Sequence, residues 1–227
     1  MKERRARGRA RPLARRNGLE SRQRILNAAL REFSRHGFSG ARVQQIAASA
    51  PTNIRMIYHF FGSKEALYVQ VLERGLQDLR NEERKLSLAT GDPVEGLLTL
   101  FDFIFDHFAA HQELVTLLSN ENIHKALFLR RSRKVAQMSS PTIKVIRSLL
   151  QRARRSPRGS QDVDALQLYV TMVALSYFHL SNAHTLSVIF RRDLHRPPWI
   201  RARHAHARSL LSHHLRAIFP APAPRSG

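Results

Sequence analysis

From Leu19 to Phe219 the apolar residues recur at spacings of three and four, and no segment alternates apolar with polar. That period belongs to the α-helix. Asn-Gly and Asp-Gly hairpin turns are absent between those limits, so the pattern predicts an all-α fold. A first helix over about 20–36 carries Ile25, Ala28, Ala29, Leu30 and Phe33. His36-Gly37 stops it, and Phe38 can pack back on the last turn. A short helix over 42–49 (Val43, Ile46, Ala47) is broken by Pro51, and another starts after Asn53. Ser63 is a good N-cap for a long helix from Lys64 to about Leu88, with Glu65 favoured in its first turn by the helix dipole.

Further start signals follow. Asp92-Pro93-Val94-Glu95 combines an N-cap, a proline at the first helical position and an acid at the third, a capping-box pattern. Ser140-Pro141 opens a helix running to about Arg154, and residues 155–161 read as a loop with Pro157 and Gly159. Asp162 is placed to cap a long apolar helix over 163–188, and a last helix spans 200–219. The expected organisation is a disordered basic arm over 1–18, a three-helix domain over 19–65, a larger helical domain over 66–219 and a flexible tail over 220–227.

Charge narrows the class of partner. The 227 residues hold 38 Lys and Arg against 17 Asp and Glu, a formal charge of +21 that suits a polyanion. Eight basic residues and one acid occupy residues 1–16, too polar to fold alone. This arm reads as a phosphate-tracking segment or as a solvated tail; it lacks the apolar run of a secretory signal. Cysteine is absent, which removes disulfides and thiolate chemistry and suits a cytoplasmic location. No apolar run is long enough for a membrane helix.

Three helices within about 45 residues, with a tight turn between the second and third, are the layout of a helix-turn-helix module. Ala47, Ala48 and Ala50 are small enough to let the third helix approach the second closely. The third helix offers Asn53, Ile54, Arg55, Met56, Tyr58 and His59 to a major groove. Arg55 can pair with guanine O6 and N7 or with a phosphate, and Ile54 and Met56 can meet a thymine methyl. Tyr58 and Lys64 suit phosphate contacts, which set register rather than sequence.

At these residues the chain resembles the TetR family of transcriptional regulators. The matching text is Arg24-Ile25-Leu26-Asn27-Ala28-Ala29-Leu30, Phe33, Gly37-Phe38, Val43, Ile46-Ala47, and above all the run from Ile57-Tyr58-His59-Phe60-Phe61 through Gly62-Ser63-Lys64-Glu65-Ala66-Leu67. The resemblance implies a homodimer in which an N-terminal DNA-binding domain joins a helical ligand-sensing domain, and a small-molecule effector releases a double-stranded DNA operator. Two departures stand out. Ala41 replaces the family's frequent Thr at the start of the second helix, losing a cap worth about 1 kcal/mol, and Arg42 beside it can restore a phosphate contact. Pro51 stands where the turn often has Gly, and a proline ring favours φ near −65°, so the turn is expected to bend differently.

The resemblance further implies that the helix after Asp162 and the last helix (Leu210, Leu211, Leu215, Ile218) pair with their counterparts in a dimer; the alternative is that both close the monomer core. The former carries Leu166, Tyr169, Val170, Val173, Tyr177 and Leu180 on one face. Phe101, Phe105, Asn120, His124 and Tyr177 are candidate effector contacts, with ordinary core packing as the alternative. His107 and His111 have zinc-compatible spacing but lack a third ligand, so no metal and no cofactor is expected. Phosphate loops and nucleophile elbows are absent, and no catalytic residue is expected. The leading expectation is thus a sequence-specific, ligand-released repressor. A sequence-nonspecific nucleoid or RNA-associated protein and a helical enzyme are the alternatives.

Overall fold

The computed structural model of the chain describes residues 3–88, 91–138, 140–154 and 163–220, with side chains from Gly18 onward except those of residues 136 and 140. Among the described residues every regular element is helical: α1 (Glu3–Gly40), α2 (Val43–Ser49), α3 (Ile54–Phe61), α4 (Lys64–Glu83), α5 (Pro93–Ala110) and α6 (Gln112–Ile123). A 3-10 turn, η1 (Leu129–Arg131), is followed by α7 (Val135–Met138), α8 (Ser140–Arg154), α9 (Ala165–Ser181), α10 (Ala183–Ile189) and α11 (Pro197–Ile218). The backbone is helical from Glu3, where the sequence predicts a disordered arm; the arm's side chains and the 221–227 tail lie outside the described residues.

Several boundaries differ from expectation. α4 ends at Glu83, short of Leu88. Asp162 lies outside the described residues, and Asp164 caps α9, its carboxylate accepting the Gln167 N–H at 2.8 Å. The expected 163–188 helix is two helices. It breaks at Asn182, whose Nδ2 donates to the Phe178 carbonyl at 3.0 Å. Asp92 caps α5 through the Val94 N–H (3.0 Å), whereas the Glu95 carboxylate is taken by Arg208 and Arg216 of α11.

Two compact units divide the chain elsewhere than at residue 65: Met1–Gly75 with Thr116–Ser132, and Leu76–Val115 with Arg133–Gly227. The first unit closes over Ile25, Ala29, Phe33, Ile46, Ile57, Leu67, Tyr68 and Leu72, joined by Leu117 and Phe128 from the returning segment. Tyr68 is its centre, with Phe33, Phe38 and Phe128 rings at 4.8, 5.4 and 4.9 Å in edge-on arrangements. Burial, then the neighbouring Glu121 carboxylate, pushes the Tyr68 hydroxyl pKa up, so the ring stays neutral.

In the second unit α5 packs on α8, α9 and α11, burying Leu97, Leu98, Phe101, Ile104 and Phe105. Each such side chain contributes about 1.5–3 kcal/mol of transfer free energy. Gly96 permits the α5–α8 approach, since a Cβ there would meet Leu149 Cδ2 at 3.1 Å. Half-exposed charges line the α5–α11 seam. Asp102 accepts from Arg208 Nε at 2.9 Å, and the His204 ring lies 2.8 Å from the same carboxylate. Such pairs add little stability individually and act mainly to fix register.

Candidate nucleic-acid interface

The local sequence builds α3 as an anchored rod. Asn53 Oδ1 accepts the Met56 N–H at 2.8 Å, closing the helix start. Ile57 and Phe61, four apart, turn into the core at 1% and 5% exposure. The opposite side is left to solvent, with Arg55, Tyr58 and His59 exposed and Ile54 and Met56 half-buried. At the far end Gly62 sits at φ 80, a left-handed position that glycine takes without strain. Ser63 Oγ then accepts the Ala66 N–H at 3.1 Å and starts α4.

The entry to α2 compensates for Ala41. The Arg42 N–H donates to Glu32 Oε1 at 2.9 Å, so an acid from α1 serves the orphan donor and the positive helix end. The Arg42 side chain is exposed. Ala47 and Ala50 are buried as the close helix approach requires, but Ala48 faces solvent. Pro51 in this turn sits at φ 23, far from the value near −65° that its ring favours, so the backbone there is strained.

The second unit holds a partly open cavity of about 280 Å³. Leu88, Leu100, Met138, Pro141 and Val145 supply apolar walls, and Arg80, Glu83 and Thr142 form a polar patch. Arg80 Nη1 donates to Glu83 Oε1 (2.6 Å) and Thr142 Oγ1 (3.0 Å), Nη2 donates to the Tyr169 hydroxyl, and Thr142 donates to Glu83 Oε2 at 2.6 Å. The buried charges are thus paired and hydrogen-bonded on several sides, as burial demands.

Comparison with known proteins decides the family. Residues 25–71 match the model of bacterial regulatory proteins of the tetR family, and residues 93–211 match a tetracyclin repressor-like C-terminal domain. The chain is 38% identical over 174 residues to the HTH-type transcriptional repressor NicS of Pseudomonas putida, covering 77% of this chain and 82% of NicS. The chain belongs to the TetR family. A second relative, the repressor SCO4008 of Streptomyces coelicolor, is 39% identical over 47% of this chain and 52% of its own. The crystal structure of SCO4942 from the same species aligns with a TM-score of 0.62 at 28% identity, covering 89% of this chain and 99% of that one. Bacillus subtilis FadR, solved with stearoyl-CoA, shares the fold at TM-score 0.60 and 16% identity, covering 84% of this chain and 97% of that one. This TetR-family member is a DNA-binding transcriptional repressor.

Placed in the TetR framework, the expected site residues separate. Arg42, Arg55, Tyr58 and His59 are presented outward on one unit, together with the half-buried Ile54 and Met56. Asn53 is exposed, but its carbonyl oxygen is committed to the cap. Lys64 is half-buried with its ammonium 4.8 Å above the Phe38 ring. The effector candidates are divided between the two units. Phe101 and Phe105 are core residues at 0% and 1% exposure, and Tyr177 donates to the Val115 carbonyl at 3.0 Å. Asn120 and the exposed His124 fall in the other unit, and none of the five lines the cavity. The residues that do line it come from α4, α5, α7 and α8 and the segments beside them, and the one local signal among them is the Arg80–Glu83 pair at a three-residue spacing. His107 and His111 stack with centroids 4.1 Å apart, and among the described residues no group of three or more metal-ligating side chains occurs.

Among the described residues no helix is long and apolar enough to cross a membrane.

Proposed function

We propose that this repressor acts in the cytoplasm as a homodimer. Each copy inserts α3 into a major groove of one operator, and a small molecule in the second unit's cavity releases the DNA. What carries the reading is α3 itself: a capped helix anchored by Ile57 and Phe61 whose Arg55, Tyr58 and His59 are presented to solvent. Base-edge readout needs that outward presentation.

Dimerisation is supported by an unpartnered stripe. Leu166, Val170 and Phe178 of α9 are more than half exposed, as is Leu210 of α11, whereas Leu168, Met172, Leu211 and Leu215 face inward. A contiguous apolar stripe of this kind suits a self-complementary two-fold interface. The cavity suits an effector with an apolar body and a negative group, because Arg80, Arg84 and Lys134 outnumber Glu83 around it. Its activity is binding rather than turnover.

Footprinting on the DNA flanking the gene, with and without candidate organic acids, tests the proposal. A protected palindrome that vanishes on adding one compound is the expected result. Uniform protection at all sequences would instead favour indiscriminate nucleic-acid coating.

A further inference from the structure

The returning segment of the first unit ends in a turn, His124-Lys125-Ala126-Leu127-Phe128-Leu129-Arg130-Arg131, that holds four basic residues and no acid. Its shape is enforced. Lys125 and Ala126 both sit at left-handed φ, 55 and 57, a conformation that side-chain-bearing residues keep only when surroundings impose it. Glu121, 1% exposed, imposes it: its Oε2 accepts the Phe128 N–H at 3.2 Å and the Leu129 N–H at 3.0 Å, tying the turn to α6. His124, Lys125, Arg130 and Arg131 are left on the outside.

The turn is joined to Lys64 through a pair of tilted aromatic rings. The Lys64 ammonium lies 4.8 Å from the Phe38 ring centre, Phe38 lies 4.3 Å from Phe128, and the Arg131 guanidinium lies 5.5 Å from Phe128. Two cations therefore flank one pair of aromatic rings. Both also act on Glu65. That carboxyl is held below its ordinary pKa by its backbone hydrogen bond first and by Ser63 next, with Arg131 and Lys64 adding to the effect.

We propose that the 124–131 turn is a second phosphate-contacting surface of the DNA-binding unit, with Arg130 and Arg131 extending along the duplex backbone the contacts begun by Arg42 and Lys64. The proposal rests on the operator-binding reading above. It gives these cations a positional role, since phosphate contacts fix register and orientation without reading sequence. The strained, carboxylate-tied backbone serves this role by fixing the turn from which the exposed Arg130 and Arg131 side chains project.

The test compares the full-length chain with an Arg130→Gln/Arg131→Gln variant on two duplexes, one selected by the wild-type chain from a random pool and one unrelated, across 50–200 mM KCl. Each lost contact lowers the slope of log affinity against log salt by about 0.9, so the variant dimer's slope falls by about 2 to 4. The ratio of selected to unrelated affinity stays unchanged. An Arg130→Lys/Arg131→Lys variant keeps the wild-type slope. A slope within 1 of wild type for the Gln variant overturns the inference while leaving the operator reading intact. Equal wild-type affinity for both duplexes overturns the operator reading, and the slope comparison on either duplex still decides the turn. If the double variant melts early, the single Arg130→Gln variant, at an exposed position away from the ring contacts, gives the same comparison with half the slope change.

Discussion

Asn53 and Arg55 stand two residues apart and do different work. The first spends its side-chain oxygen on the start of α3, and the second projects into solvent with no partner that the fold requires. Replacing Arg55 by Ala is therefore expected to leave the melting temperature unchanged and to relax preference at one base pair per half-site by about 1–3 kcal/mol. Binding measured on a set of single-substituted operators checks this, since a uniform loss would mark a phosphate contact instead. Two buried imidazoles predict a pH response. Burial, followed by repulsion from His111 for His107 and from Arg203 for His179, lowers both to about 4 from an ordinary 6.5. Between those values the unfolded chain binds more protons than the folded one. Stability is thus full above pH 6.5 and falls as the pH drops toward 4, by on the order of 1 kcal/mol or more for each residue. Urea unfolding at pH 7 and pH 5 should show the fall, and His179→Phe should shrink it. The outward placement of Arg55, Tyr58 and His59 was legible in the sequence because it follows from spacing within one short helix. The burial of Phe101 and Phe105 was not, because a helical stripe of aromatics does not say whether its far side meets protein or ligand.

Capping chemistry accounts for what could be read of the elements. Asn53, Ser63 and Asp92 each accept a backbone N–H from a residue two or three further on, so their signals lie within one turn of chain. The cap of α9 was expected at Asp162, and Asp164, two residues on, is the one that serves. Helix ends were harder. α4 stops at Glu83, where the side chain is drawn into contact with Arg80 and Thr142, the latter 59 residues away. Only tertiary structure supplies that reason. Because Glu83 holds a guanidinium at 6% exposure, Glu83→Ala leaves Arg80 without its counter-charge and is expected to cost about 3–5 kcal/mol. Chemical denaturation measures it, and an effect below 1 kcal/mol would mean that Tyr169 and Thr142 suffice for Arg80.

For the whole molecule, the all-helical class and the two-part plan were legible in the sequence, while the assignment of residues to each part was not. Leu117 and Phe128 close the first unit from beyond residue 115, a pairing invisible to local periodicity. The cavity draws on α4, α5, α7 and α8, and so eluded the sequence for the same reason. The α9 stripe belongs to this scale as well. Phe178→Asp places a charge in an apolar patch that the single chain does not cover, so it is expected to leave the helical content intact and to convert dimer into monomer. Sedimentation velocity would show the change, and operator affinity should drop with it.

The first unit's discontinuity limits how the chain can be cut. A fragment cut after Gly75 retains every residue of the helix-turn-helix yet leaves one flank of the Tyr68 ring uncovered, because the ring that covers it, Phe128, lies well downstream of the cut. Reading head and sensor are thus stitched by the chain itself: a graft of residues 25–71 onto another scaffold must bring a substitute for Leu117 and Phe128, or accept a loosened head.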